Sequence, residues 1–383
     1  MEKIYCSKKD LEYRKEVRDF LSSELEPIRE KINDNKEIPI DLYKKLGKEG
    51  LIGPLVSEDY NGTNRGIIAH IIITEEISKL NVAVSVTRTP CILDSYTLYH
   101  YGNDYQKETY LREIASGEKI SSICITEEEA GSDAAGVKSY AKKDGDEYIL
   151  NGSKKFITNA GLADYYLIWC LTDTSVNPRQ GMSVFLVEKG TSGFEIEKPY
   201  GLLGLNGIVN GVLKLKDVKV PEKNLIGSEN EGYKILMSTF NIERITLSSE
   251  CNGISLAALN DSKNYAQNRR QFSRFISSFQ IIKLKIAEMA TKIQAARSLT
   301  YGAAKLFKMG MNITKEASMA KAFSSKTAVE VALEGIQIYG GNGYTDNYSM
   351  ERYLRDAKFF QIGGGTSEIQ NLIIAREEFR GID

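Results

Sequence analysis

Histidine is scarce in this chain of 383 residues: only His70 and His100 occur. Mechanisms that need a histidine cluster therefore start at a disadvantage, and an acid or base is expected to be a carboxylate. Five cysteines (Cys6, Cys91, Cys124, Cys170 and Cys251) are scattered without a CxxC pair. That spacing indicates neither a disulfide framework nor a zinc site, and reduced thiols in the cytoplasm are expected. Charge of one sign is also missing. Fifty Lys and Arg stand against 51 Asp and Glu, a net charge of -1, whereas nucleic acid and anionic membrane both call for a positive excess. The longest apolar run, Ile67 to Ile73, is broken by His70 and falls far short of the roughly 20 residues that span a bilayer. The charged start, MEKIYCSKKD, lacks an apolar signal core. No low-complexity tail or solenoid-period repeat is visible.

What is present is ordinary globular material, 42% hydrophobic and 26% charged, enough for two or three domains. Residues 1–118 read as helical. Tyr13, Val17, Phe20, Leu21 and Leu25 recur at helical spacing before Pro27, and further helices are expected around Asp41 to Lys48 and Ile67 to Leu80. Residues 119–227 change texture. Short β-branched and aromatic runs (Glu147 to Leu150, Lys155 to Thr158, Tyr165 to Leu171, Ser183 to Val187, Val212 to Leu215) lie between turn signals at Asp144-Gly145 and Asn151-Gly152. No long helical pattern separates them, so an antiparallel sandwich or barrel is expected. From 228 to 383 the helical period returns. Ile282, Ile286, Met289, Ile293 and Ala296 form the seam of a packed bundle. The fold class is α+β: helices, an antiparallel β domain, then a four-helix bundle.

Four segments are more specialised than scaffold requires. Cys124-Ile-Thr-Glu-Glu-Glu-Ala-Gly-Ser-Asp133 offers the hydroxyls of Thr126 and Ser132 in a turn, although a polar loop accounts for any one of them. Within Lys154-Lys-Phe-Ile-Thr158, Phe156 and Thr158 share one side of a strand. That pair could support a flat heterocycle or simply pack. Arg269-Arg270-Gln271-Phe272 is followed by Gln337 and Gly340-Gly341-Asn342-Gly343. The glycines lack the GxGxxG spacing and suit a helix end with close backbone approach. In Gln361-Ile-Gly-Gly-Gly-Thr-Ser-Glu-Ile-Gln370, glycines run into a helix start. Its amides suit pyrophosphate or another anion, or only a turn.

Taken together, TE-x-x-AGSD, NG-x-K-x-Phe-IT, QI-x-GGNGY, RDAK and GTSEIQ resemble the acyl-CoA dehydrogenase family, from about Asp10 to Arg376. The resemblance implies FAD held between the β domain and the C-terminal bundle. Ile123, Ile125, Thr126 and Ser132 match the loop at the isoalloxazine and pyrophosphate. Phe156 matches an aromatic against the flavin, and Thr158 a hydroxyl near N5. Arg269, Phe272, Gln337 and Gly341 match residues that reach a neighbouring subunit's cofactor, and Thr366 and Glu368 match contacts of the GTS segment. A homotetramer, a dimer of dimers, follows from that sharing. The implied reaction is α,β-dehydrogenation of a short, branched or cyclic acyl thioester, with electron transfer flavoprotein or oxygen as acceptor.

Many members place the catalytic glutamate just before the GTS glycine, where this chain has Gly363-Gly364-Gly365. Isovaleryl-CoA dehydrogenase-like members place it on a helix of the C-terminal domain, and Asn241-Ile242-Glu243-Arg244 stands at the matching place. Glu243 is thereby expected as α-proton base, with the Gly364 amide as oxyanion donor and Arg244 and Ser132 beside the substrate. Gly363 and Gly364 are expected to leave room for the acyl group. Arg88, in the stretch that lines the distal acyl cavity of relatives, could pair with Asp94, meet a polar acyl group or lie on the surface. Glu128 and Glu129 replace the usual proline and small residue, and Asn241 replaces an aspartate at the pantetheine. Those departures suit a second reading, an oxidase of carrier-protein-bound prolyl or related thioesters. A noncatalytic nucleic-acid-binding flavoprotein is a third reading, opposed by the balanced charge.

Overall fold

The computed structural model describes residues 2–197 and 200–380. The first periodic stretch forms α1, Lys8–Glu24, with Tyr13, Val17 and Leu21 buried. Its start is set by a capping box, in which Ser7 Oγ accepts from Asp10 N while Asp10 accepts from Ser7 N. Helix α2 spans Ile40–Lys48, α3 Gly66–Leu80 and α4 Val82–Tyr101. Helices α3 and α4 are buried almost all round, which explains the apolar run at Ile67 as core. Among the described residues no helix is long and apolar enough to cross a membrane.

The strands are β1 Ser121–Cys124, β2 Tyr140–Asp144, β3 Glu147–Thr158, β4 Tyr165–Leu171, β5 Met182–Glu188, β6 Phe194–Ile196, β7 Asn210–Pro221 and β8 Leu225–Ile226. They pair in the order β6-β7-β3-β2-β4-β5-β8, with β1 added beside β4. Pairing is mostly antiparallel, but β1 and one residue of β2 run parallel to β4. The loop from 125 to 139 joins β1 to β2 in place of a tight turn, so nothing forces β1 into antiparallel register. Gly145, with φ 61°, turns β2 into β3 as the Asp144-Gly145 signal implies. Asn151-Gly152, expected as a turn, is instead inside β3 at a register shift. A Cβ at Gly152 would lie 2.2 Å from Ser139 Oγ, so glycine there permits close backbone approach.

Helix α5 spans Gly232–Asn268, α6 Gln280–Lys308, α7 Thr314–Tyr339, α8 Met350–Phe359 and α9 Ser367–Glu378. Met289, Ile293 and Ala296 are buried on α6, as its seam requires. Helix α5 ties the parts together. Its first residue accepts from the indole of Trp169 on β4 (2.9 Å), and it packs on α3, α4, α6 and α7. A buried ionic cluster adds to this. Arg14 of α1 donates to Glu75 (2.9 Å) and Glu76 (2.7 Å) of α3, and Arg297 of α6 donates to Glu75 (3.0 Å).

Candidate active site

Helix α5 presents Asn241-Ile242-Glu243-Arg244 to the corner between α8 and α9. That corner closes α8 with amides of Ile362 and Gly363 donating to Phe359 O (2.9 and 2.8 Å). Gly364 and Gly365 then take φ 63° and 83°, the left-handed region that favours glycine. Two buried side chains hold their carbonyls. Gln370 Nε2 donates to Gly364 O (3.0 Å) and Gly365 O (3.1 Å), and Lys321 Nζ donates to Gly365 O. The Gly364 N–H has no acceptor among the described residues. A Cβ on Gly364 would stand 3.4 Å from the Glu243 carboxyl, so helix and corner meet there.

Burial pushes the Glu243 carboxyl up in pKa, against the nearby cations Arg244 and Lys321. Burial pushes Lys321 down to about 8, opposed by Cys251 and Glu243. Arg244 is pushed down to about 10 by burial, opposed by Glu243. Arg244 Nη1 donates to Asn241 Oδ1 (2.8 Å), and its Nε lacks a partner. Lys321 and Gln370 were not singled out from the sequence. Lys321 lies 44 positions from the carbonyl it holds, and a lone lysine in a helix gives no sign of that partner.

A second group of residues forms a ledge along β3. Glu127 anchors the loop after β1 by accepting from Lys154 Nζ (2.7 Å), Lys138 N (2.6 Å) and Ser139 N (3.1 Å). Lys154 also donates to Ile125 O (3.1 Å), and Lys155 N donates to Thr126 O (2.8 Å). Burial would raise the Glu127 pKa, but Lys154 and these donors hold it down. A register shift between Lys154 and Ile157 coincides with Phe156 at φ 57°. The bulge leaves the Phe156 ring 55% exposed and tilted on Tyr200. Thr158 is partly exposed two residues on, and its carbonyl accepts from Ser122 Oγ (2.6 Å), next to Ile123. Ile123, Ile125, Thr126, Phe156 and Thr158 thus gather on one edge, while Ser132 is exposed farther along the loop. The Glu127–Lys154 pair is a further anchor that motif reading passed over.

Thr366 caps α9 by accepting from Ile369 N (3.3 Å). Thr366 and Glu368 line an open groove of about 970 Å³ walled by Phe323 and Lys326 of α7. Arg269, Phe272, Gln337 and Gly341 are all exposed. They gather where α5 and α7 end, tied by stacking of Tyr265 on Tyr339. Arg269 is 26 residues beyond Glu243 on or beside α5, about 39 Å along a helix axis. One chain does not bring these four to the Glu243 corner.

Two expectations are corrected. Arg88 is neither on the surface nor paired with Asp94: it is fully buried and donates to Leu51 O (2.7 Å) and Thr74 Oγ1 (2.5 Å). The reason is that α4 is buried on every side from Val82 to Leu98. Gly363 and Gly364 do not leave open space. A Cβ on Gly363 would meet the Phe359 ring at 2.5 Å, and one on Gly364 would meet Leu247 Cδ1 at 2.1 Å. Packing fills the volume that glycine frees.

Models of the N-terminal, middle and C-terminal domains of acyl-CoA dehydrogenase match residues 7–118, 122–218 and 230–379. An acyl-CoA dehydrogenase of Bacillus subtilis (strain 168) is 42% identical over 379 residues, covering 97% of this chain and 98% of the relative. Mitochondrial isovaleryl-CoA dehydrogenase of Pongo abelii is 37% identical, covering 97% and 88%. The solved butyryl-CoA dehydrogenase of Megasphaera elsdenii superimposes with a TM-score of 0.95 at 34% identity, covering 98% of this chain and 99% of that one. With sequence and fold agreeing over nearly its whole length, the chain belongs to the acyl-CoA dehydrogenase family, flavin-dependent oxidoreductases that act on acyl thioesters.

Proposed function

We propose that the protein dehydrogenates a short, branched or cyclic acyl-CoA between Cα and Cβ, with Glu243 as the base. The observation that carries this reading is the placement of one half-buried carboxyl, raised in proton affinity by burial, beside a glycine amide that has no internal acceptor. A thioester oxygen that accepts from the Gly364 N–H brings its Cα toward Glu243. Negative charge gathers on that oxygen as the α-proton leaves, and a fixed N–H stabilises it more than it stabilises the ground state. Burial raises the affinity of Glu243 for that proton, while Arg244 and Lys321 keep it ionised enough to accept one.

The ledge residues fit FAD. An aromatic ring held out by a bulge, with hydroxyls and backbone donors beside it, suits a flat heterocycle, and the groove at Thr366 and Glu368 suits a polar tail. Bound FAD supplies the acceptor for the β-hydrogen as hydride. Phe156 would lie against the ring, Thr158 near N5, and Ile123, Ile125, Thr126 and Ser132 along its edge. Arg269, Phe272, Gln337 and Gly341 would come from a second chain, which makes a homotetramer the expected assembly. Electron transfer flavoprotein is the expected acceptor.

The test is Glu243→Gln. The variant should purify with flavin bound and dehydrogenate butyryl- or isovaleryl-CoA at least about a hundredfold more slowly. Turnover near the parent rate would reject Glu243 as base. Turnover of a prolyl carrier protein in place of every acyl-CoA would reassign the carrier, and oxygen consumption would reassign the acceptor.

A further inference from the structure

Seven residues beyond Glu243, two turns along α5, stands Glu250, which is fully buried. Seven residues are about 10.5 Å of helix axis and return to nearly the same face. Leu247, whose Cδ1 abuts Gly364, lies on that face between the two carboxylates. Helix α4 packs opposite. Its Ser85 and Thr89 hydroxyls both donate to Glu250 Oε1, at 2.9 and 2.8 Å. The other oxygen, Oε2, has no donor. Arg88 stands between those two hydroxyls in sequence. Its Nη atoms are taken by Leu51 O and Thr74 Oγ1, and its Nε has no acceptor. Arg88 and Glu250 make no ion pair within 4 Å among the described residues, although each feels the other's charge.

This arrangement is poorly explained as scaffold. A buried carboxyl with one bare oxygen is destabilising, and a buried cation with a bare N–H adds to that. Hydrocarbon at the end of an acyl pocket would worsen both. A group that donates to Oε2 would relieve the first, and a hydroxyl or amine lone pair could also accept from Nε.

Resting on the reading of Glu243 as base, we propose that Glu250 and Arg88, aimed by Ser85 and Thr89, form a polar subsite that selects an acyl thioester carrying a hydrogen-bond donor, a hydroxyl or an amine, at its far end. The two helical turns between Glu243 and Glu250, about 10.5 Å of axis, suit chains of about four to six carbons. Burial pushes Glu250 up to about 7, opposed by hydrogen bonds from Thr89 and Ser85 and by the charge of Arg88, with Glu243 adding to the rise. Tyr13, Tyr43 and Cys91 also face Arg88, Cys251 adjoins Glu250, and His70 Nε2 is held by Thr246 Oγ1 at 2.8 Å.

The experiment compares kcat/KM of the FAD-loaded enzyme for butyryl-, pentanoyl- and hexanoyl-CoA with their terminal hydroxy and amino counterparts. At one length or more a donor-bearing substrate should exceed its plain counterpart by about tenfold or more. Separate hydroxy and amino series show which donor is preferred. Glu250→Leu should abolish or reverse the preference while plain butyryl-CoA is still turned over. If that variant does not fold, Ser85→Ala with Thr89→Val removes the hydroxyls that aim the carboxyl and should give the same loss. Preference for plain chains at every length, or a preference for donors that survives both changes, would overturn the subsite. Either result with Glu243-dependent turnover intact leaves the base assignment standing, whereas a parent enzyme that turns over no acyl thioester counts against the proposed dehydrogenation itself.

Discussion

In the proposed reaction Glu243 and Gly364 act as one unit, and two outcomes follow from their geometry. The first concerns pH. Burial sets the Glu243 carboxyl above the ordinary glutamate value, near 4.3. As the proposed base Glu243 works ionised, so kcat/KM should fall as pH is lowered through that raised value. The acid limb of a pH–rate profile should therefore sit above 4.3 and vanish with the residual rate of Glu243→Gln. The second concerns Gly364→Ala. Its φ of 63° and a Cβ 2.1 Å from Leu247 oppose any side chain. A loss of about 1–3 kcal/mol is expected in denaturant melts, with turnover falling as Leu247 and the corner move apart. Sequence reading reached Glu243 only by resemblance, because an acid in a helical run is by itself unremarkable. Lys321, Gln370 and Glu250 stayed illegible because each draws its meaning from a partner on a distant element.

At the scale of elements, periodic patterns were legible and their interruptions were not. Tyr13, Val17 and Leu21 announced α1, and Met289, Ile293 and Ala296 announced the buried stripe of α6. Asn151-Gly152 carried the letters of a turn yet lies within β3, since Ser139 on the neighbouring segment approaches too closely for any other residue. The bulge at Phe156 was equally hidden, although it sets the exposure of that ring. The loop beside it depends on the buried Glu127–Lys154 pair. Lys154→Met should leave Glu127 buried without its cation, at a cost of about 3–5 kcal/mol. Flavin content per chain, read from the visible spectrum, should drop, while far-ultraviolet circular dichroism of the helices persists.

For the whole molecule, the cluster of Arg14, Glu75, Glu76 and Arg297 clamps the first helices to the bundle. Burial would raise the Glu76 pKa, but Lys79, Arg18 and Arg14 outweigh it and hold the group near 2. Glu75 is also held down, with Arg297 and Arg14 outweighing burial. Groups depressed in the folded state stabilise it fully above their unfolded value of about 4.3 and lose that contribution as pH falls toward 2. Denaturant midpoints should therefore decline across that acid window, and less steeply in Glu75→Gln, which starts weaker. Assembly is the other expectation at this scale. Arg269 and Glu243 are too far apart to share one chain's site, so Arg269→Ala should loosen FAD in an oligomer that light scattering still reports as four chains.

Sequence alone determined what local rules and recurring motifs can carry. These were the order of helices, strands and helices, the stretches that specialise, the family and, through it, the carboxylate to test. Those features depend on neighbours along the chain, where side-chain period and turn chemistry act directly. Tertiary structure alone decided which groups are desolvated and which atoms lack partners. It filled the space beside Gly363 with Phe359, buried Arg88 away from both Asp94 and the surface, and left one oxygen of Glu250 bare while two hydroxyls hold the other. Such facts arise where helices distant in sequence press together, because desolvation and hydrogen bonding depend on what surrounds an atom in space.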